Sequence, residues 1–200
     1  MIYLLRHGET LWNAEGRIQG QRDSVLSPRG ERQASAMGRR LAGLLAGRSD
    51  VRMVASPLGR TRQTAALVAA ALAYDPARIA YDDRLREITW GDWDGFTRAE
   101  IEARWPGSLA PRYGEPVEHW NHCPPNGESF ASAGARARDW LNGALTSDRV
   151  TVAVAHGAIG RVLRSLHLKL APADALALDE PQEAFFHIHR GGIDRIEVDR

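Results

Sequence analysis

The apolar run Ile2-Tyr3-Leu4-Leu5 breaks off into Arg6-His7-Gly8, and the same grammar recurs twice further along the chain. Val51-Arg52-Met53-Val54-Ala55 leads into Ser56-Pro57-Leu58-Gly59-Arg60, and Val150-Thr151-Val152-Ala153-Val154-Ala155 leads into His156-Gly157. Short apolar runs of this length read as buried strands. If the three strands are parallel neighbours, their carboxyl ends share one edge of a sheet, where open α/β sheets bind ligands. Two guanidiniums and two imidazoles would then converge. Such a cluster is unfavourable unless an anion fills it, and a phosphoryl group needs several donors around its oxygens. The fork of Arg suits phosphate, and His serves as nucleophile or acid–base near neutral pH.

The intervening segments carry helical patterns. Ser27-Pro28 reads as an N-cap followed by proline at the first helical position, with Met37, Leu41, Leu44 and Leu45 on one apolar face. Ser56-Pro57 reads as a second start of this kind, placing Arg60 in the first turn of a helix that runs to about Ala73, with a helix amino end that favours phosphate. Thr97-Arg98-Ala99-Glu100 has the capping-box pattern, and its helix should end before Pro106. A helical pattern spans about Glu128 to Leu145, and another follows His156. Segment 14–26 reads as a loop, Ile79-Ala80-Tyr81 as a short strand, and 184–189 with 193–198 as a closing hairpin around Gly191-Gly192. Segment 106–126 lacks periodicity and reads as a lid or binding loop. This alternation predicts one α/β domain, a three-layer α/β/α sandwich with a mostly parallel central sheet and a C-terminal hairpin.

Composition narrows the function. The 200 residues include 44% hydrophobic and 26% charged residues, ordinary for a globular domain. A formal net charge of +1 gives no global field for nucleic acid or a membrane surface, so any anion site is local. The single cysteine, Cys123, allows no internal disulfide and suits a reducing, cytoplasmic setting. The amino terminus enters a strand pattern without a signal-peptide pattern, and no apolar stretch is long enough to cross a bilayer. Oligomeric state is not readable from the sequence.

Arg6-His7-Gly8-Glu9-Thr10 followed by Trp12-Asn13 resembles the signature of the histidine phosphatase superfamily, the phosphoglycerate-mutase-like fold. Ser56-Pro57-Leu58-Gly59-Arg60-Thr61 is similar to its second motif, Leu85-Arg86-Glu87 matches the place of its acid–base carboxylate, and Ala155-His156-Gly157 matches its second histidine. The matches span Arg6 to Gly157 in the family's order. The resemblance implies one such domain over residues 1–200 and catalysis by Arg6, His7, Arg60, Glu87 and His156. His7 would become a phosphohistidine, Arg6, Arg60 and His156 would stabilise the phosphoryl oxygens, and Glu87 would act as acid and then base. Asn13, Gln19, Gly20 and Gly157 join Arg6, Arg60, Glu87 and His156 as expected substrate contacts. The expected substrate is a small phosphorylated metabolite, with no cofactor and no metal.

Two alternatives stand beside hydrolysis. Mutases of the family carry Arg-His-Tyr-Gly after the glutamate, whereas this chain has Ile88-Thr89-Trp90-Gly91-Asp92-Trp93-Asp94-Gly95 and later Pro125-Asn126-Gly127-Glu128-Ser129, which resemble the phosphatase branch. A non-catalytic phospholigand-binding protein would usually lack one of the catalytic residues. Other features read plainly. His119-Trp120-Asn121-His122-Cys123 lacks the paired spacing of a structural zinc site. His187 and His189 share a strand face as a solvated or core-satisfied pair. Asp82-Asp83 reads as a solvated turn. Trp90, Trp93, Trp105 and Trp120 wall an apolar pocket or belong to the core.

Overall fold

The computed structural model describes residues 1–198. Its sheet comprises β1 (Ile2–Arg6), β2 (Val51–Ala55), β3 (Ala80–Tyr81), β4 (Val150–Ala155), β5 (Ala184–His189) and β6 (Gly192–Glu197), in the order β3-β2-β4-β1-β5-β6. Strands β3, β2, β4 and β1 are parallel, β5 runs antiparallel to β1, and β6 closes the hairpin. Register brings the three sequence runs level: Arg6 pairs with Ala155, and Ala55 pairs with Val154. His7 N–H donates to Ala155 O at 3.1 Å and Ser56 N–H to Val154 O at 2.9 Å, so His7, Ser56 and His156 leave the sheet side by side.

Both sheet faces are covered, and side-chain alternation along each strand divides the core in two. Ile2 and Leu4 of β1, with Ala153 and Ala155 of β4, pack under α6 (Phe130–Leu145) and α7 (Gly157–Leu168). Tyr3 and Leu5, with Val152 and Val154, pack under α2 (Pro28–Leu44) and α3 (Gly59–Ala71). These are the three layers the sequence predicts. Strand β4 is buried along its whole length, which accounts for its unbroken apolar run.

Helix starts follow the caps, with one exception; Thr10 Oγ1 opens the short α1 (Leu11–Ala14) by accepting from Asn13 N–H at 3.1 Å. Ser27 Oγ accepts from Gly30 N–H at 3.1 Å, and Thr97 and Glu100 close a capping box at the start of α4 (Arg98–Arg104). Ser56 caps nothing. Helix α3 begins at Gly59 after Leu58, and its first amides are satisfied from outside: Asp23 accepts from Gly59 N–H and, at 3.2 Å, from Arg60 N–H. The sequence expectation of a Ser56-Pro57 start is corrected because a distant carboxylate, unlike a local hydroxyl, leaves no pattern beside the helix. The expectation of an aperiodic 106–126 segment is also amended, since it contains α5 (Pro116–Asn121).

The amino end of α2 sits against the turn after β1, and glycine permits the approach. A Cβ on Gly30 would lie 1.9 Å from Glu9 O, and one on Gly8 would lie 2.2 Å from Gly30 O. Gly43, near the other end of the same helix, faces open space. Gly30→Ala should therefore destabilise the protein by about 2 kcal/mol or more, because backbone must shift. Gly43→Ala should stabilise it by up to about 1 kcal/mol, the helical preference of alanine. Urea unfolding of the two variants checks the contrast, and equal effects would contradict the packing described.

Candidate active site

The carboxyl edge of the parallel strands opens into a cavity of about 470 Å³. Arg6, His7, Asn13, Gln19, Gly20, Arg60 and Glu87 line it, brought together from three separate chain segments. Ile18, Trp90, Phe130 and Ala158 also line it.

His7 is buried and its ring is oriented. Its Nδ1 lies 2.8 Å from Gly8 O, which fixes that nitrogen as the donor and Nε2 as the acceptor. Arg60 Nε donates to this Nε2 at 3.2 Å and to Nδ1 of His156 at 3.2 Å. His156 completes the chain with Nε2 at 2.8 Å from Ser56 Oγ, and the two imidazole rings stand 5.2 Å apart. Burial, then the charges of Arg60 and Arg6, hold the His7 pKa well below the usual imidazole value, so His7 is neutral. Burial, Arg60 and His7 do the same to His156.

Arg60 is 1% exposed. Three of its remaining four N–H groups are bound to one loop: Nη2 donates to Gly20 O at 2.7 Å, while Nη1 donates to Arg22 O at 2.6 Å and to Asp23 Oδ1 at 3.0 Å. Gly20 reaches this position at φ +52, where a Cβ would lie 1.7 Å from buried Asp94. Arg6 differs: Nη1 donates to Glu180 O, but Nε is buried without a partner. Gln19 Oε1 is likewise unpartnered. A buried polar atom without a partner in a cavity marks where a ligand atom belongs.

Glu87 has no strand to place it, yet it is tightly held. Its Oε1 accepts from Ile159 N–H at 2.9 Å and Ile88 N–H at 3.0 Å, and Oε2 from Ala158 N–H at 3.1 Å, so the carboxyl caps α7. Behind it, Arg136 of α6 donates to the carbonyls of Arg84, Arg86 and Glu87, and pairs with Glu128 at 2.7 Å. Burial, then the charge of Glu180, raises the Glu87 pKa; the amide bonds and Arg60 oppose this. Sequence reading missed Asp23, Arg136 and Glu180, and it named Asp94 within the 88–95 stretch without giving it a role. Glu128 was noted within its motif, but the ion pair that explains it is formed with a residue of α6.

Two expected contacts fall outside the cavity wall. Gly157 instead makes room, since a Cβ there would lie 2.5 Å from Glu180 Oε2 and 3.3 Å from Arg6 Nε. His156 stands behind Arg60 and does not itself line the cavity. Of the tryptophans only Trp90 lines it, while Trp93 is core and Trp105 and Trp120 pack against that core. Segment 106–126 contributes Arg112 alone. At the far edge of the sheet, His187 and His189 lie 3.4 and 3.2 Å from Asp194 Oδ2. His189 Nδ1 accepts from Gly191 N–H, which directs its Nε2–H to that carboxylate.

Comparison with known proteins agrees with this geometry. The family model of the histidine phosphatase superfamily (branch 1) matches residues 2–192. The chain belongs to the histidine phosphatase superfamily. Within it, the chain is 37% identical over 179 residues to a probable phosphoglycerate mutase GpmB of Erwinia tasmaniensis, covering 87% of this chain and 77% of the relative. A protein of the same name from Salmonella choleraesuis is 49% identical over 90 residues, covering 45% of this chain and only 39% of that relative. Among solved structures, a mycobacterial glucosyl-3-phosphoglycerate phosphatase in complex with VO3 superposes with a TM-score of 0.77 at 32% identity, covering 98% of this chain and 96% of the other.

The buried neutral histidines make stability depend on pH with a definite sign. The unfolded chain protonates His7 and His156 as pH falls through about 6.5, whereas the folded protein does not, so their contribution is present above that value and lost as pH falls toward their folded pKa. Each group removes about 1.4 kcal/mol per pH unit across that window. Glu87 acts oppositely: with its pKa raised, its contribution is complete below the unfolded carboxyl value and is lost as pH rises through the folded one. Scanning calorimetry from pH 7.5 to 5 should show the wild-type Tm falling, and His156→Gln falling less steeply. Parallel profiles would contradict a neutral buried His156.

Proposed function

We propose that the protein is a phosphomonoester hydrolase working through a phosphohistidine on His7, with a small phosphorylated metabolite as substrate. The observation that carries this reading is the state of His7: neutral, with Nδ1–H committed to Gly8 O and Nε2 an unprotonated acceptor at the wall of a cation-lined cavity, where it takes the Nε–H of Arg60 until a phosphoryl oxygen draws that donor away. In the first step Nε2 attacks phosphorus, the N–P bond forms and the ester P–O bond breaks. Glu87, protonated, delivers its proton to the departing oxygen. In the second step Glu87 takes a proton from water, the water oxygen attacks phosphorus, and the N–P bond breaks to release phosphate and neutral His7. The unpartnered Nε–H of Arg6 is a donor for the equatorial oxygens, joined by the Nε–H of Arg60 once it turns from the His7 lone pair to the arriving phosphoryl group. His156 joins them only when protonated, because its Nδ1 is an acceptor toward Arg60; an arriving phosphoryl dianion favours that protonation.

Mutase relatives support a second reading, in which the phosphoryl group returns to another hydroxyl. Segment 88–95, which folds back through Asp94 onto the 20–23 loop, lacks the mutase sequence pattern and favours water as acceptor. Phosphorus NMR of a monophosphorylated diol with two distinct hydroxyls separates the readings: free phosphate for hydrolysis, a positional isomer for the mutase.

The role of Glu87 is tested by leaving group. Glu87→Gln should slow phosphohistidine formation from alkyl phosphates by about a hundredfold or more, the usual size of general acid catalysis. With 4-nitrophenyl phosphate, whose leaving group needs little protonation, the pre-steady-state burst should slow much less. Equal loss on both esters would remove Glu87 as the acid.

A further inference from the structure

Asn13 lines the cavity from α1, and the face its amide turns toward that cavity is decided by a residue far along the chain. Its Oδ1 accepts from Thr10 N–H at 3.2 Å and from Gln182 Nε2 at 3.2 Å. The same Gln182 Nε2 also donates to His7 O at 3.2 Å. Backbone groups of fixed polarity orient both amides. Thr10 N–H only donates, so the Asn13 atom facing it is the oxygen. His7 O only accepts, so the Gln182 atom facing it is the nitrogen. With both acceptor positions of Oδ1 filled, the polar group left to Asn13 is its Nδ2, a donor with no hydrogen-bond partner among the described residues.

The fold brings Gln182 to this place. The antiparallel register of β1 with β5 pairs Leu4 with Phe186, and continued past the strand ends it carries Gln182 beside the turn at His7 and Gly8. The segment before β5 is itself pinned. Arg161 Nε donates to Leu178 O at 3.1 Å, Arg164 Nη2 to Asp179 O, and Arg6 Nη1 to Glu180 O. The His7–Gly8 peptide that Gln182 grips is bound on its other side as well, since Gly8 N–H donates to Thr64 Oγ1 at 3.2 Å.

We propose that Gln182 is a positioning residue, whose two N–H groups hold the Asn13 amide with its nitrogen toward the cavity, as a neutral donor for the phosphoryl oxygens, and hold the peptide that follows the nucleophile. The proposal deepens the phosphomonoesterase reading and rests on it for the identity of the anion. A neutral donor complements Arg6 and Arg60: it adds direction to the anion site without a further cation beside His7. Without Gln182 the Asn13 oxygen keeps only Thr10, and nothing else bonds the amide to the β5 side of the site.

The test is a double-mutant cycle on the affinity for inorganic phosphate, read by titration calorimetry at one pH. Gln182→Met keeps the length of the side chain and loses both donors, while Asn13→Ala removes the amide they hold. Each single change should weaken phosphate binding by about tenfold, the scale of one hydrogen bond to a charged group. In the Asn13→Ala background, Gln182→Met should cost no more than about twofold. Gln182→Ala repeats the cycle, so the outcome does not hang on one replacement. A merely structural role would move the urea midpoint but leave the effects on affinity additive. Unchanged affinity in Gln182→Met and Gln182→Ala, or effects that add in the double variants, overturns the proposal. If the wild-type protein binds phosphate but hydrolyses no ester, the hydrolase reading fails and the cycle still decides the role of Gln182. If it hydrolyses esters and the cycle is additive, only the role of Gln182 falls; if it binds no phosphate, the proposal falls whether or not esters turn over.

Discussion

A single buried cation organises this site. Arg60 is drawn out of water to 1% exposure, and the Born cost of that transfer is several kcal/mol unless the ion is well bonded. Four of its five N–H groups are bonded, to the carbonyls of Gly20 and Arg22, the carboxylate of Asp23, and the two imidazoles, which share one. Each partner is thereby positioned in turn. The 20–23 loop is tied to the amino end of α3, and both histidines are held with a nitrogen acceptor toward the same N–H. Asp23 bonds the side chain of Arg60 and the first amides of its helix at once, so its loss would loosen the loop, the helix start and the guanidinium together.

That arrangement also sets the protonation states the chemistry needs. Burial, and then the charge of Arg60 between the two imidazoles, keeps both neutral, the state the proposed nucleophile His7 requires. Glu87 faces the opposite pressure. Burial and Glu180 favour its neutral form, while three amides and Arg60 favour its ionised form. A carboxyl balanced in this way suits a group that gives a proton in one step and takes one in the next.

Much of this was legible in the residues. The strand ends at His7, Ser56 and His156 were visible because period and composition mark buried strands, and parallel pairing then places them level. Ser27 and Thr97 declared their helices through local hydroxyl caps. Illegible features depend on contacts between distant segments. Ser56 looked like a cap but serves His156, because the capping of α3 comes from Asp23. Glu87 appeared unsupported because its support, Arg136, lies on another helix and binds carbonyls, which carry no sequence signature. Gly157 matched a family motif, but the crowding that calls for a glycine there, from Glu180 and Arg6, comes from distant segments.

The central claim is that Nε2 of His7 carries the phosphoryl group. Quenching the protein into alkali during turnover of 4-nitrophenyl phosphate, followed by peptide mapping under alkaline conditions, tests it directly. The account predicts alkali-stable, acid-labile phosphate on the peptide containing His7, attached at Nε2, and none on the peptide containing His156. Phosphate on His156, or turnover with no phosphorylated histidine at any quench time, would contradict it.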